Sequence, residues 1–114
     1  MSGQTDLVFK AIADPTRRAI FHMLAMSEQP LTITDIATHF PASRQAIRKH
    51  IGILESANLA QITGQGRTKQ CTANAVTLQV VQQWISYYER FWEQKLTALG
   101  DYLNEESEQN EPKE

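Results

Sequence analysis

Thr32-Ile33-Thr34-Asp35-Ile36-Ala37-Thr38-His39-Phe40-Pro41-Ala42-Ser43-Arg44-Gln45-Ala46-Ile47-Arg48-Lys49-His50-Ile51-Gly52-Ile53-Leu54-Glu55-Ser56-Ala57 is the stretch that decides how this chain of 114 residues is read. Thr32 to Asp35 has the form of a capping box, with Asp where Glu or Gln is more usual. It opens a helix of roughly two turns, with Ile33, Ile36, Ala37 and Phe40 at helical spacing. Pro41 cannot continue that helix, and Ser43 is a good cap for the next, which is expected to run to about Ala57. On a wheel of about 100° per residue, Ile47, Ile51 and Leu54 fall on the core side. Gln45, Arg48, Lys49 and Gly52 point the opposite way, with Arg44 at the flank. Two short helices with a brief connection, the second longer and basic, form a helix-turn-helix pattern.

Working outward, Thr5 to Ala13 reads as a short helix, and Asp14-Pro15 ends it and starts another that fades near Ser27-Glu28-Gln29-Pro30. Asp is a favourable N-cap, and proline at the first helical position loses no hydrogen bond. Downstream, Leu59-Ala60-Gln61-Ile62 reads as a strand, Thr63-Gly64-Gln65-Gly66-Arg67 as a turn, and Thr68 to Thr72 as a second strand. A hairpin directly after a helix-turn-helix is a wing. From about Val76 to Leu103 there is no proline, and Leu78, Val81, Trp84, Ile85, Tyr88, Phe91, Trp92, Leu96, Leu99 and Leu103 recur at helical spacing. A helix of ~28 residues spans about 42 Å, more than so small a domain can cover, so its apolar stripe is expected to face another molecule. The expected architecture is mainly α with a small β-hairpin wing: a winged helix-turn-helix of about five helices and two strands. It occupies residues 1–104, followed by a disordered acidic tail over 105–114.

Composition bounds the function. The net charge is −2 and 41% of residues are hydrophobic. The charge is unevenly spread: five basic residues (Arg44, Arg48, Lys49, Arg67, Lys69) stand against Glu55 alone between Phe40 and Thr72, whereas Ala73 to Glu114 has three basic against eight acidic. That is the footprint expected when one face meets phosphates. The longest apolar runs are far below the ~18–20 residues needed to cross a bilayer. The opening Met-Ser-Gly-Gln-Thr-Asp lacks the basic-then-apolar form of a signal peptide. Cys71, the single cysteine, cannot form an internal disulfide. These features fit a cytoplasmic protein without a membrane partner. A chain this short buries a modest share of its surface, which favours association with a second copy.

Ala13-Asp14-Pro15-Thr16-Arg17-Arg18-Ala19-Ile20, then Asp35-Ile36-Ala37, then Ser43 to Ile51 resemble the ArsR-type winged-helix repressors, in the right element order from roughly Asp6 to Leu103. The Trp- and Tyr-rich last helix is similar to the metal-independent, SdpR-like branch. The resemblance implies a bacterial or archaeal dimer that occupies a promoter and is released by some signal. Metal-sensing members carry paired cysteines on the third helix, where this chain has Ile33 to Ala37, or His and acidic ligands on the last helix, which here has no His. Zinc-type metals prefer Cys and His, and His22, His39 and His50 belong to three separate helices. No metal or cofactor is therefore expected, and a metal-sensing repressor is the disfavoured variant.

The candidate DNA contacts are Ser43, Arg44, Gln45, Arg48, Lys49 and His50 on the recognition helix, Arg67 and Lys69 on the wing, and Thr16 with Arg17 at the second helix. Arg suits guanine O6 and N7, and Gln suits adenine N6 and N7. Gly52 has no side chain to hold the helix off the DNA. Arg67 and Lys69 reach either phosphates or the minor groove, or only solubilise a turn. Thr16 with Arg17 or Arg18 meets a phosphate at a helix N-terminus or pairs with Asp14. His50, on the boundary of the face, bonds a phosphate or packs. Cys71 is a buried strand residue, or a redox sensor if its thiol pKa is lowered. The dimer interface is expected at Leu7, Leu78, Val81, Ile85, Tyr88, Trp92, Leu96 and Leu99. The stripe through Trp84, Tyr88, Phe91, Trp92 and Tyr102 either packs between subunits or frames a pocket for a small-molecule inducer.

Two other classes compete. An enzyme would need a nucleophile with its base, a phosphate-binding loop or paired carboxylates in apolar surroundings, and none is recognisable. A winged-helix module that binds an acidic protein would use the same basic face, and Gln45 and Arg48 beside Gly52 favour a groove over a flat surface. The favoured reading is a dimeric, sequence-specific DNA-binding repressor on an inverted-repeat operator, bound through the helix at about 43–57 and the wing at about 59–72, with activation as the alternative direction of control.

Overall fold

The computed structural model describes residues 3–110, apart from the side chains of Arg67, Gln109 and Asn110. Residues up to Val81 form one compact unit, and those from Gln82 a second. The first unit holds α1 (Gly3–Ala13), α2 (Pro15–Met26), β1 (Leu31–Thr32), α3 (Ile33–Ala37), α4 (Arg44–Ser56), β2 (Ala60–Thr63) and β3 (Gln70–Ala73). Helix α5 (Gln79–Asn110) begins in this unit and continues as the second.

Helices α2, α3 and α4 start where a side chain takes up a free N–H group. Asp14 caps α2 by accepting from the Arg17 N–H at 2.9 Å, with Pro15 at the first helical position. Thr32 and Asp35 form the reciprocal capping box of α3, both bonds 3.1 Å. Ser43 caps α4 through the Ala46 N–H at 3.1 Å. A cap of this kind stabilises by about 1 kcal/mol.

The helices close over one apolar core. Ile20, Ile36, Ile47, Ile51, Leu54 and Leu59 are fully buried, with Val8 and Cys71 among them. Burying an Ile or Leu side chain is worth about 2 kcal/mol, so the three from α4 outweigh any single cap. Leu78, Val80 and Val81 pack against the same cluster. Two of the residues expected at a dimer interface, Leu78 and Val81, are therefore engaged within the chain. Leu78 lies just before α5, and Val81 in its first turn.

The sheet has three strands rather than the two expected, in the order β1-β3-β2 and antiparallel throughout. Cys71 pairs with Leu31 on one side and Ile62 on the other, and Gln70 likewise with Thr32 and Thr63. A strand of two residues is too short to display alternation, which is why β1 has no sequence signature. The hairpin turns at Gly64, whose φ of +98° and the Thr68 carbonyl oxygen 2.9 Å from any added Cβ both require glycine.

Helix α5 runs 32 residues, about 48 Å, and passes beyond the Asn104 at which an acidic tail was expected to begin. Residues 105–110 are helical, and residues 111–114 lie outside the described residues. Glu and Gln favour helix without needing a core, and the Tyr102 hydroxyl donates to Glu106 Oε1 one turn on, at 3.1 Å. Polarity there therefore reflects a solvated helix.

Asp14 and Asp35 are both held below the ordinary aspartate range, each chiefly by a backbone N–H it accepts from (Arg17 and Thr32 respectively). A carboxylate favoured in the folded state contributes stability above its unfolded pKa and loses it as pH falls through the lowered folded value. Asp14→Ala should therefore lower the Tm most at neutral pH, with the gap closing as pH drops below about 4. Thermal denaturation from pH 7 to pH 2 measures this, and a constant gap would count against the capping role.

Candidate nucleic-acid interface

Helix α4 is amphipathic by construction. Its buried side turns Ser43, Arg44, Gln45, Arg48 and Lys49 into solvent, all exposed. With Gly52, Ile53, Glu55 and Ser56, and Ile33 from α3, they line an open groove of about 1220 Å³. Three cations face one carboxylate there, so the groove is cationic. It presents guanidinium and amide groups, whose fork geometry suits base edges and phosphates.

The other candidates divide. Arg17 is half-buried and committed inside the fold: its Nε donates to the Ala11 carbonyl at 2.8 Å and its Nη2 to that of Lys10 at 3.2 Å. Arg18 Nη1 donates to the carbonyls of Ile12 at 2.8 Å and Ala13 at 3.1 Å. The two guanidinium groups thus cap the C-terminal end of α1, where the break at Asp14-Pro15 leaves carbonyls without helical partners. Asp14, weighed as a salt-bridge partner, takes the Arg17 backbone N–H instead. Thr16 is half-buried beside them.

His50 is half-buried, and its Nδ1 is enclosed without a hydrogen-bond partner among the described residues. Lys69 is half-buried just before β3, and the backbone of Arg67 lies in the short turn Gly66–Thr68, its side chain being outside what the structure describes. Cys71 is fully buried. Burial pushes its thiol up in pKa against a smaller pull from the Arg48 cation, the reverse of what a reactive thiolate needs. Among the described residues no three His, Cys, Asp or Glu side chains gather as metal ligands would. No helix there is long and apolar enough to cross a membrane.

Three long-range contacts at the far end of α4 escaped the sequence reading. Gln4 Nε2 donates to the Ala57 carbonyl at 2.8 Å. Asn74 Nδ2, at 3.1 Å, and the Thr77 hydroxyl donate to the Asn58 carbonyl. Asn58 itself has a φ of +62°, and an Asn just past a helix is the one signal that was legible, since it tolerates the left-handed C-cap.

In the second unit, the stripe on α5 is exposed. Ile85 and Tyr88 are at 37% and 39%, and Trp92, Leu96 and Leu99 are each more than half exposed. Leu7 on α1 is also exposed. Rings cluster along the helix, with Trp84 and Tyr88 centroids 5.0 Å apart, and Lys95 Nζ lies 5.4 Å from the Phe91 centroid.

A capped α3, a buried and outwardly basic α4, and a hairpin sewn to both define a winged helix-turn-helix of the DNA-binding class. Residues 12–61 match a family model described as a helix-turn-helix domain. The chain is 37% identical over 78 residues to the transcriptional repressor SdpR of Bacillus subtilis, covering 68% of this chain and 84% of that protein. It is 29% identical over 103 residues to the HTH-type transcriptional regulator Rv2034 of Mycobacterium tuberculosis, covering 90% and 92%. A crystal structure of an ArsR family transcriptional regulator superposes with a TM-score of 0.70 at 32% identity, covering 79% of this chain and 91% of that one. The chain belongs to the ArsR family of winged-helix transcriptional regulators, and it is a DNA-binding transcriptional regulator, as its relatives are named.

The burial of Cys71 gives a direct check. The native protein should not react with a thiol reagent such as DTNB at pH 7 on the minute scale, and one thiol per chain should appear in denaturant. Rapid native labelling would reopen the redox reading.

Proposed function

We propose that this protein acts as a homodimeric repressor that binds an inverted-repeat operator, reading bases with α4 and gripping the adjacent backbone with the β2–β3 hairpin. The observation that carries the reading is the exposed row Arg44, Gln45, Arg48 and Lys49, opposite three fully buried residues of the same helix. Two such helices about 34–36 Å apart would enter successive major grooves on one side of a duplex. Lys69, and Arg67 from the turn, supply the wing contacts, and His50 adds a phosphate contact from the edge of the face. Ser43 acts as the cap that orients Arg44 and Gln45, while the Arg17 guanidinium stays on the α1 carbonyls and takes no part in the contact.

The second copy covers the apolar stripe of α5, with Ile85, Tyr88, Trp92, Leu96 and Leu99 at its centre and Leu7 contributing from α1. An exposed apolar row of this length favours association in water. Release from DNA follows a signal, either a small molecule or a protein. The protein works in the cytoplasm without metal, cofactor or catalytic role.

Fluorescence anisotropy on a duplex recovered by the protein from a random-sequence library tests the reading. The recovered duplex should bind at least ~10³ times tighter than a scrambled one, and both affinities should fall steeply with salt. Arg48→Ala should cost about 1–3 kcal/mol of that preference, roughly 5- to 150-fold, if it contacts a base. Failure of every duplex at low salt would instead favour an acidic protein partner. Sedimentation checks the dimer: Ile85→Glu with Leu96→Glu should give monomers whose operator affinity drops, and an unchanged mass would place the interface elsewhere.

A further inference from the structure

Gly52 lies inside α4, where glycine is less stable than alanine because it has more backbone freedom to lose on folding. A fold normally retains such a glycine because the backbone is left-handed there or because a neighbour occupies the Cβ position. At Gly64 both reasons hold. At Gly52 neither does. The residue is within a regular helix and is absent from the positive-φ positions Asn58, Gly64 and Gly66. A Cβ added to it would meet only Arg48 Nη1 at 3.8 Å, ordinary contact with the movable end of a side chain. The fold has room for alanine at 52 and would gain stability from it.

What surrounds Gly52 is the groove, which it lines with Gln45, Arg48 and Lys49. On the wheel it falls between Arg48 and Gln45, in the middle of the span from Arg44 to Lys49. We propose that Gly52 is the point of closest approach between α4 and duplex DNA, so that the helix lies along the groove for most of its length instead of entering by its N-terminal tip. The inference rests on the DNA-binding reading of α4 and adds a steric limit to it. A side chain at 52 is a spacer. Even a methyl group would hold the surfaces apart by roughly 1–2 Å, whereas hydrogen-bond distances tolerate only about 0.5 Å. Arg48 and Gln45 would then be lifted off their partners together.

The test pairs two measurements that should move in opposite directions. In the full chain at fixed concentration, Gly52→Ala should raise the Tm by about 3–6 °C. The same variant should bind the library-selected duplex about tenfold or more weakly, and Gly52→Leu more weakly still. Binding within about twofold of wild type for both variants would overturn the inference while leaving the DNA reading intact. A lower Tm for Gly52→Ala would also overturn it, because the fold itself would then require the glycine. A wild-type chain that binds no duplex would remove the DNA reading and this inference together, and its titration is run first.

Discussion

Ile47, Ile51 and Leu54 hold α4 against rotation about its own axis. Each is fully buried, and they repeat at four and three residues, so all three face the core at once. Turning the helix by a third of a revolution would bring a cation such as Arg48 or Lys49 towards the interior, and desolvating an unpaired charge costs far more than a winged helix of this size could absorb. The polar face is therefore outward because the apolar face has nowhere else to go. The Ser43 cap, the groove and the direction in which Gln45 and Arg48 project all follow from that one registration.

Much of this was legible in the residues, for physical reasons that can be named. Capping side chains announce helix starts, and Asp14, Thr32 with Asp35, and Ser43 each sit where the structure begins a helix. The period of α4 separated its two faces, and the glycines between Ile62 and Lys69 marked the hairpin. What was not legible depends on contacts between distant positions. Nothing local in Leu31-Thr32 signals a strand, because its partner is Cys71, forty residues away. Nothing near Gln4 points to Ala57. Arg17 and Arg18 look like surface cations until the carbonyls of α1 are seen within their reach. The polar run after Asn104 was read from composition alone, which cannot separate a solvated helix from a chain without structure.

The distribution of charge acquires a sharper meaning once side chains are assigned. The protein is net acidic, yet α4 and its groove are cationic. The arginines of α2 keep their charge, but their guanidinium groups are tied to the carbonyls that end α1. A low overall charge with one basic face limits indiscriminate attraction to nucleic acid while preserving a local field. Electrostatics of this kind favours orientation over raw affinity, since only one side of the molecule is attracted.

The short strand β1 has a mechanical consequence. Thr32 is at once a strand residue paired with Gln70 and the capping residue of α3. The hairpin is thereby riveted to the front of the helix-turn-helix, and the Leu59 carbonyl that follows α4 takes the Asn74 N–H at 2.8 Å. Under the proposed reading, in which α4 and the hairpin both hold the duplex, these bonds would set the opening between them like the jaws of a caliper. A duplex whose groove width differed from that opening would have to deform to fit, so sequences that bend or narrow easily would gain an advantage that no side chain reads.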